Sequence, residues 1–228
     1  MVGAMLLEVE GVLANTAPLR RAALHRALAD DGVARDPADL ASDDHTGHAT
    51  REIVRRALLD HDLARDEGAI TLIAHRADRY FDSLMHAGVS RAPGAREMLA
   101  ASATRCRLAL VTGLGRATVD SLLALAELEG AFEVIVAAEN VAAAKPAPDA
   151  HRKAFERLRR RRTLDLLAAV ALEPGAVGAR AAHAAGIRCV VVGTAGDRRI
   201  ADADAMIPSL AGYTPASLDA LLSLRAAG

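Results

Sequence analysis

Residues 4–14, AMLLEVEGVLA, contain the pattern that decides the fold class of this chain. An apolar run of strand length meets Glu8 and Glu10 and then Gly11. Comparable short apolar runs recur along the chain, at 108–111, 134–138, 167–172, 189–192 and, more weakly, 205–207. Short apolar runs without alternation are typical of strands that are covered on both faces, as in a parallel sheet.

Helix-like stretches separate these runs. The clearest of them cover 116–129, 149–162 and 177–185. Alternation of strands and helices predicts an α/β fold, in which a Rossmann-like parallel sheet is built through right-handed crossovers.

One interval interrupts this alternation. Between about residues 16 and 88 the pattern is helical, charged and rich in alanine, and it contains no convincing strand. The dipeptide Pro93-Gly94 marks the return to alternating strands and helices. We therefore predict a core domain formed by residues 1–15 and 89–228, with residues 16–88 inserted as a helical cap domain over the carboxyl edge of the sheet.

Composition excludes several classes of function. The 228 residues carry a formal net charge of -1, and only 2% of them are aromatic, with no tryptophan. This balance disfavours a nucleic-acid partner, which calls for a basic face or for stacking aromatics. No segment has the pattern of a membrane span or an export signal, and the two cysteines suit buried thiols. We expect a cytoplasmic protein; its oligomeric state is not predicted.

Polar residues follow the predicted strands at the edge where ligands bind in open α/β sheets. They are Glu8, Glu10, Gly11, Thr112, Gly113, Glu139, Lys145, Glu173 and Gly193. Carboxylates, a hydroxyl, an ammonium and backbone amides of this kind can hold a phosphate group and a divalent cation. Lys145 is conspicuous because only two of the 28 basic residues are lysines.

Four segments resemble the motifs of the haloacid dehalogenase (HAD) superfamily, in its phosphoglycolate phosphatase and β-phosphoglucomutase branch. They are LLEVEGVLANTAPL at 6–19, VTG at 111–113, AAAKPAPDAH at 142–151 and VALEPGAVGARAAHAAGIRCVVV at 170–192. The resemblance covers nearly the whole chain and includes the position of the cap. It implies a phosphatase or phosphomutase relative that acts on a small phosphorylated metabolite.

The resemblance also implies roles for individual residues. Glu8 stands at the position of the nucleophile and Glu10 at that of the general acid/base, while Thr112 and Lys145 hold the phosphoryl group. Glu8, Glu10 and Glu173 are the implied ligands of Mg²⁺. For substrate binding we predict Gly11 and Gly113 together with three residues of the cap, namely His45, Thr46 and Arg51.

Three positions depart from the pattern of the superfamily. Both aspartates of the first motif are glutamates here, and Pro174 replaces an aspartate of the fourth. An added methylene moves a carboxylate by about one C–C bond, and a misplacement of about 1 Å can cost roughly 10²-fold in rate. Pro174 removes an anionic oxygen, so Mg²⁺ is expected to bind weakly or not at all.

Alternatives stay open at this point. The chain is either an impaired hydrolase or a catalytically silent homologue that binds a phosphorylated ligand or a protein partner. Displacement of the dehalogenase type is a third option, but it also relies on an aspartate nucleophile. Taken singly, Glu8, Glu10 and Glu173 are ordinary strand-end carboxylates, and His45, Thr46 and Arg51 belong to a solvated cap loop.

Overall fold

A single parallel sheet organises the chain. The computed structural model describes residues 1–33, 48–59, 65–160, 163–193 and 200–226. The strands within these ranges are β1 (Ala4–Leu7), β2 (Arg107–Val111), β3 (Val134–Val136), β4 (Ala169–Glu173), β5 (Arg188–Val192) and β6 (Ala205–Ile207). They lie in the order β3-β2-β1-β4-β5-β6, and every neighbouring pair is parallel. The predicted α/β fold with a Rossmann-like sheet is confirmed.

The helices of the described residues follow the predicted alternation. They are α1 (Ala17–Ala29), α2 (Thr50–Leu59), α3 (Glu67–Ala87), α4 (Ala95–Ser102), α5 (Arg116–Leu125), α6 (Asp149–Arg159), α7 (Ala176–Ala184) and α8 (Pro215–Ala226). Helix α5 ends four residues before the predicted boundary of Glu129, because Glu127 takes a positive φ of 53° and so breaks the helical backbone. Strand β4 starts later than predicted, since residues Leu166–Ala168 form a 3₁₀ turn capped by Asp165.

Two hydrophobic clusters cover the two faces of the sheet. In β1, Met5 and Leu7 belong to one cluster, whereas Ala4 and Leu6 belong to the other. Consecutive side chains of a strand point to opposite faces, so a strand that is buried on both faces needs apolar residues at every position. This is the physical reason for the uninterrupted apolar run at the start of the chain.

Helices α1, α2 and α3 form a third hydrophobic cluster of their own. Leu28 of α1, Ile53 of α2 and Ile73 of α3 are among its buried members. Asp66 caps the start of α3 by accepting a hydrogen bond of 2.8 Å from the backbone N–H of Ala69. These helices follow β1 in the chain, as predicted, and the division into a core domain and a cap domain stays a prediction.

None of the helices in the described ranges has both the length and the apolar character that a membrane span requires.

Candidate active site

The register of the sheet brings the ends of β1, β2 and β4 to one level. Leu7 is paired with Leu110 on one side and with Leu172 on the other. The next residue of each strand segment is therefore Glu8, Val111 or Glu173, side by side at the carboxyl edge. Glu8 and Glu173 are both completely buried. Two acids in such positions require partners, because an unpaired buried charge is costly.

Lys145 supplies that partner for both acids. Its Nζ atom donates to Glu8 Oε2 at 3.0 Å and to the two Glu173 oxygens at 2.7 and 2.8 Å, and it also donates to the Val111 carbonyl at 3.1 Å. On the far side, His151 Nε2 lies 2.9 Å from Glu173 Oε1. Lys145 and His151 are themselves buried. We call Glu8, Lys145, Glu173 and His151 the lysine cluster.

The charges of the lysine cluster stabilise one another. Burial lowers the pKa of the Lys145 ammonium, but the neighbouring carboxylates of Glu173 and Glu8 outweigh it and hold that pKa above its usual value. Burial likewise raises the pKa of the Glu173 carboxyl, but Lys145 and the hydrogen bond from His151 hold it below its usual range. Lys145 is thus held as a cation and Glu173 as an anion.

Two close approaches fix the backbone around these acids. A Cβ atom on Gly178 in α7 would lie only 1.9 Å from Glu173 Oε2, so a glycine is required for the carboxylate to pack against this helix. Gly11 has a φ of +75°, and a Cβ atom there would lie 2.9 Å from Cβ of Pro174. The turn after β1 is therefore packed directly on the proline that follows β4.

Glu10 belongs to a second set of polar contacts, which we call the arginine network. Its Oε2 accepts a bond of 2.7 Å from Arg20 Nη1, and its Oε1 accepts one of 3.3 Å from Thr16 Oγ1. Arg20 Nη2 donates to Thr50 Oγ1 at 3.0 Å, and Thr50 donates to Asp78 Oδ1 at 2.5 Å. The network therefore connects the end of β1 to α1, α2 and α3. Burial raises the pKa of the Glu10 carboxyl, with Arg20 acting in the opposite direction.

A cavity of about 580 Å³ lies between helices α2 and α3 and the carboxyl edge of the sheet. Thr112, Gly113 and Lys145 line it on the sheet side, and Arg51 and His75 line it on the helix side. The volume is within the range of small-molecule sites. Glu8, Glu10 and Glu173 are not among the residues that line this cavity.

The remaining predicted residues have separate environments. Thr112 Oγ1 accepts a hydrogen bond of 3.2 Å from the backbone N–H of Leu114. The Gly11 N–H donates to the Ala14 carbonyl at 2.9 Å, and Gly11 is not part of the cavity lining. Arg51 forms an ion pair with Glu67 of α3. His45 and Thr46 lie outside the described residues, and the predicted substrate contacts of all these residues stay predictions.

Sequence reasoning missed Arg20 and His151, although each left a signal. Arg20 lies four and eight residues before Leu24 and Leu28, on the apolar stripe of α1, where an arginine needs a buried partner. His151 closes the AAAKPAPDAH segment and falls on the buried face of α6. A charged or polar residue within an apolar helix face is the pattern that could have identified both.

Known proteins share this fold and up to about a third of this sequence. The profile of the haloacid dehalogenase-like hydrolase family matches residues 6–192. The phosphoglycolate phosphatase of Cupriavidus necator is 35% identical over 224 residues, which are 94% of this chain and 94% of that protein. A crystal structure of a CbbY mutant from Rhodobacter sphaeroides in complex with xylulose-(1,5)bisphosphate is 31% identical, with a TM-score of 0.81 over 96% of this chain and 99% of that one.

A third protein extends the likeness in fold. The crystal structure of β-phosphoglucomutase from Clostridium difficile has a TM-score of 0.83 over the full length of both chains, at 17% identity. The resemblance to phosphoglycolate phosphatase is thereby confirmed in sequence, and the likeness to β-phosphoglucomutase is one of fold. On the match of its sequence over 6–192, this chain belongs to the haloacid dehalogenase-like hydrolase family.

Proposed function

We propose that this chain binds a small phosphorylated metabolite in the cavity below α2 and α3, and that it hydrolyses the phosphate ester slowly. The observation that carries the proposal is the lining of this cavity by Thr112, Gly113 and Lys145 together. The family resemblance assigns Thr112 and Lys145 to the phosphoryl group, and Gly113 is a predicted substrate-binding residue. The phosphatases and phosphomutases among the relatives support the same class of substrate.

Compounds with two anionic ends are the first substrates to consider. The names of the relatives point to phosphoglycolate and to a sugar bisphosphate. Arg51 and His75 line the helix side of the cavity, opposite Lys145 on the sheet side. A guanidinium group binds carboxylate or phosphate oxygens well, so Arg51 suits the second anionic end once it leaves Glu67.

The reaction would use Glu8 and Glu10 in two steps. In the first, a Glu8 oxygen attacks phosphorus, the bond to the ester oxygen breaks, and protonated Glu10 gives its proton to the leaving alcohol. In the second, Glu10 takes a proton from water, which attacks the phosphorylated Glu8 and releases inorganic phosphate. The raised pKa of Glu10 favours the protonated form that the first step needs.

The positions of these acids are the reason to expect slow turnover. Glu8 is completely buried and holds Lys145, so its carboxylate has to leave this partner before it can meet phosphorus. Glu10 is likewise held by Arg20. Reacting atoms that are not within about 3–3.5 Å of each other lose much of the advantage of a bound substrate.

Mg²⁺ is the ion that the family implies, and the donors described here do not fit it. Glu8, Glu10 and Glu173 already accept hydrogen bonds from Lys145, Arg20 or His151, and Pro174 offers no side-chain oxygen. Over the described ranges, no group of three or more His, Cys, Asp or Glu residues is arranged to hold a metal ion. We therefore derive no step through Mg²⁺.

The helices after β1 have a place in this function. We propose that residues 16–88 act as a cap domain over a core formed by 1–15 and 89–228. The cavity supports this division, since α2 and α3 provide one wall and the sheet edge the other. We also propose a cytoplasmic location, with which the buried, unpaired thiols of Cys106 and Cys189 agree.

The test is release of inorganic phosphate from 2-phosphoglycolate and from xylulose-1,5-bisphosphate, with Mg²⁺ and with a chelator. We expect slow release from at least one compound and a further loss in the Thr112→Val variant. If neither compound binds, as judged by calorimetry, or if Thr112→Val leaves both binding and release unchanged, the proposal is wrong.

The hydrogen bonds that already occupy the Lys145 ammonium favour a second function, which is binding without catalysis. Two carboxylates share this ammonium at 3.0 Å or less, and a site locked in this way suits a protein that binds a phosphorylated ligand without turning it over. Calorimetric binding of 2-phosphoglycolate or xylulose-1,5-bisphosphate without any release of phosphate would select this function over slow hydrolysis.

A further inference from the structure

We propose that the three carboxylates at the sheet edge are paired with cations of the chain itself, Glu8 and Glu173 in the lysine cluster and Glu10 in the arginine network, and that they do not form a divalent-cation site. The proposal concerns metal binding alone. It therefore holds or fails independently of whether this protein hydrolyses a phosphate ester.

Both oxygens of Glu173 already have hydrogen-bond partners within the chain. Its Oε1 and Oε2 both accept hydrogen bonds from Lys145, and Oε1 also faces His151 Nε2 at 2.9 Å. The residue is completely buried. Mg²⁺ takes near-octahedral oxygen ligands at about 2.0–2.1 Å, so it would have to displace an ammonium that already lies at 2.7 Å from Oε1.

The carboxylate of Glu173 also lies in a confined space. A Cβ atom on Gly178 would lie 1.9 Å from Oε2 and 2.4 Å from Cδ of Glu173, which means that the carboxylate packs against the backbone of α7. Neither Glu173 nor Glu8 lines the cavity. A metal ion that reached the cavity would therefore meet Lys145 and Thr112 there, and none of the three acids.

The residue after Glu173 is Pro174, whose side chain cannot supply an oxygen ligand to a metal ion. Its ring carbons are packed on the turn at Gly11, with 2.9 Å between Cβ of Pro174 and the place of a Cβ atom on that glycine. Pro174 thus presents hydrocarbon, and no oxygen ligand, beside the turn that follows β1.

His151 acts as a positioning residue in this arrangement. It is completely buried, its Nε2 faces Glu173, and its Nδ1 has no hydrogen-bond partner among the described residues. With Nε2 as the donor, the imidazole keeps the Glu173 carboxylate beside α6 and Lys145. This hydrogen bond occupies Glu173 Oε1, an oxygen that a metal ion would need as a ligand.

In the arginine network, both carboxylate oxygens of Glu10 accept hydrogen bonds and are therefore not free to bind a metal ion. Arg20 Nη1 at 2.7 Å and Thr16 Oγ1 at 3.3 Å each occupy one of its two oxygens. Glu8 has a comparable environment, since Val9 N–H donates to its Oε1 at 2.8 Å and Lys145 to its Oε2 at 3.0 Å. Each of the three acids therefore has a donor at both oxygens.

Titration of the intact chain with Mn²⁺, followed by the loss of the free-ion electron paramagnetic resonance signal, tests the proposal directly. We expect no saturable binding up to about 1 mM, or binding that the Glu8→Gln variant leaves unchanged because it lies elsewhere. One Mn²⁺ ion bound tightly by the wild-type chain and lost in Glu8→Gln would overturn the proposal.

Restoring the oxygen ligands gives the complementary test. The variant E8D/E10D/P174D is expected to gain one Mn²⁺ site. The matched control E8D/E10D keeps Pro174 and is expected to bind Mn²⁺ at least tenfold more weakly than the triple variant. Adding His151→Phe to the triple variant is expected to raise Mn²⁺ affinity, because it frees Glu173 Oε1 from its hydrogen-bond partner. If His151 has only a structural role, its replacement will lower the Mn²⁺ affinity or leave it unchanged. That result would contradict the positioning role.

Discussion

The two halves of the carboxyl edge differ in how far their polar groups are committed to partners within the protein. At the ends of β1 and β4, Glu8 and Glu173 are completely buried and are held by Lys145. At the end of β2, Thr112 and Gly113 line the cavity. The first half carries the groups that would do chemistry, and the second those that would bind a phosphoryl group. Turnover therefore rests on the first half, and binding rests on the second half together with Lys145, which also lines the cavity.

The comparison also shows how a buried acid is kept in a fold. Three carboxylates lie near one another, and the fold satisfies them with Lys145, Arg20, His151 and backbone N–H groups. Breaking a buried ion pair is costly because it leaves an uncompensated charge. The ends of β1 and β4 are thus expected to contribute to stability, and the end of β2 to affinity.

Replacement of Lys145 by methionine would break the first half and is expected to have the largest effect. It leaves two buried carboxylates without their ammonium, so we expect the free energy of unfolding to fall by about 3–5 kcal/mol. Urea denaturation measures this change. The matched control is Arg116→Met, which removes an exposed pair with Asp120 and is expected to cost at most about 0.5 kcal/mol. Equal losses of unfolding free energy in the two variants would contradict a stabilising role of the ends of β1 and β4.

The variant E8D/E10D/P174D is expected to increase catalysis at the ends of β1 and β4. With shorter carboxylates and an added oxygen ligand, we expect phosphate release in the presence of Mg²⁺ to rise by about 10²-fold over the wild type. A colorimetric phosphate assay measures it, and circular dichroism verifies that the variant is folded. A folded triple variant that is no faster than the wild type would show that other features limit turnover.

The Thr112→Val variant tests the second half alone. Loss of a hydroxyl that would donate to a charged phosphoryl oxygen is expected to weaken binding of 2-phosphoglycolate by about tenfold, with the stability of the lysine cluster unchanged. Isothermal titration calorimetry measures the affinity. The exposed Thr104 provides a control, and Thr104→Val should bind as the wild type does. A loss of stability in Thr112→Val that matches its loss of affinity would mean that the two halves are not separate.

A dependence of stability on acidic pH is the smallest expected effect. The pKa of Glu173 is lower in the folded chain than its usual value, because of Lys145 and His151. The stability it contributes is therefore present above about pH 4.3, the usual pKa of glutamate, and is lost as pH falls through the folded-state pKa.

The Glu173→Gln variant isolates this contribution. It should show a smaller loss of unfolding free energy than the wild type between about pH 5 and pH 3, as measured by urea denaturation at each pH. Parallel losses in both proteins would show that other carboxyl groups cause the acid sensitivity.

Sequence patterns predicted the fold well, and they placed the main site residues at one edge. The apolar runs at the start of the chain and before Thr112 correspond to β1 and β2. Parallel strands covered on both faces leave such runs in any sequence, which is why they could be recognised without coordinates. The register of the sheet then brought Glu8 and Glu173 to the same level.

The partners of these acids could not be predicted in the same way. Arg20 of α1 reaches Glu10 across the turn that joins β1 to α1, and His151 reaches Glu173 because α6 packs against β1, β2 and β3. These contacts join residues that are 10 and 22 positions apart. No periodicity in the sequence specifies which buried polar groups meet across different elements.

The amino-acid sequence alone determined the parallel α/β fold, the family to which the chain is similar, and the departures at Glu8, Glu10 and Pro174, because local patterning and motif identity are written in consecutive residues. Only the tertiary structure decided that Lys145 holds two carboxylates at once and that those acids do not line the cavity. Which buried charges form pairs depends on the distances between helices and strands after these have packed. An unpaired buried charge is costly, so each one needs a partner within reach in the folded interior.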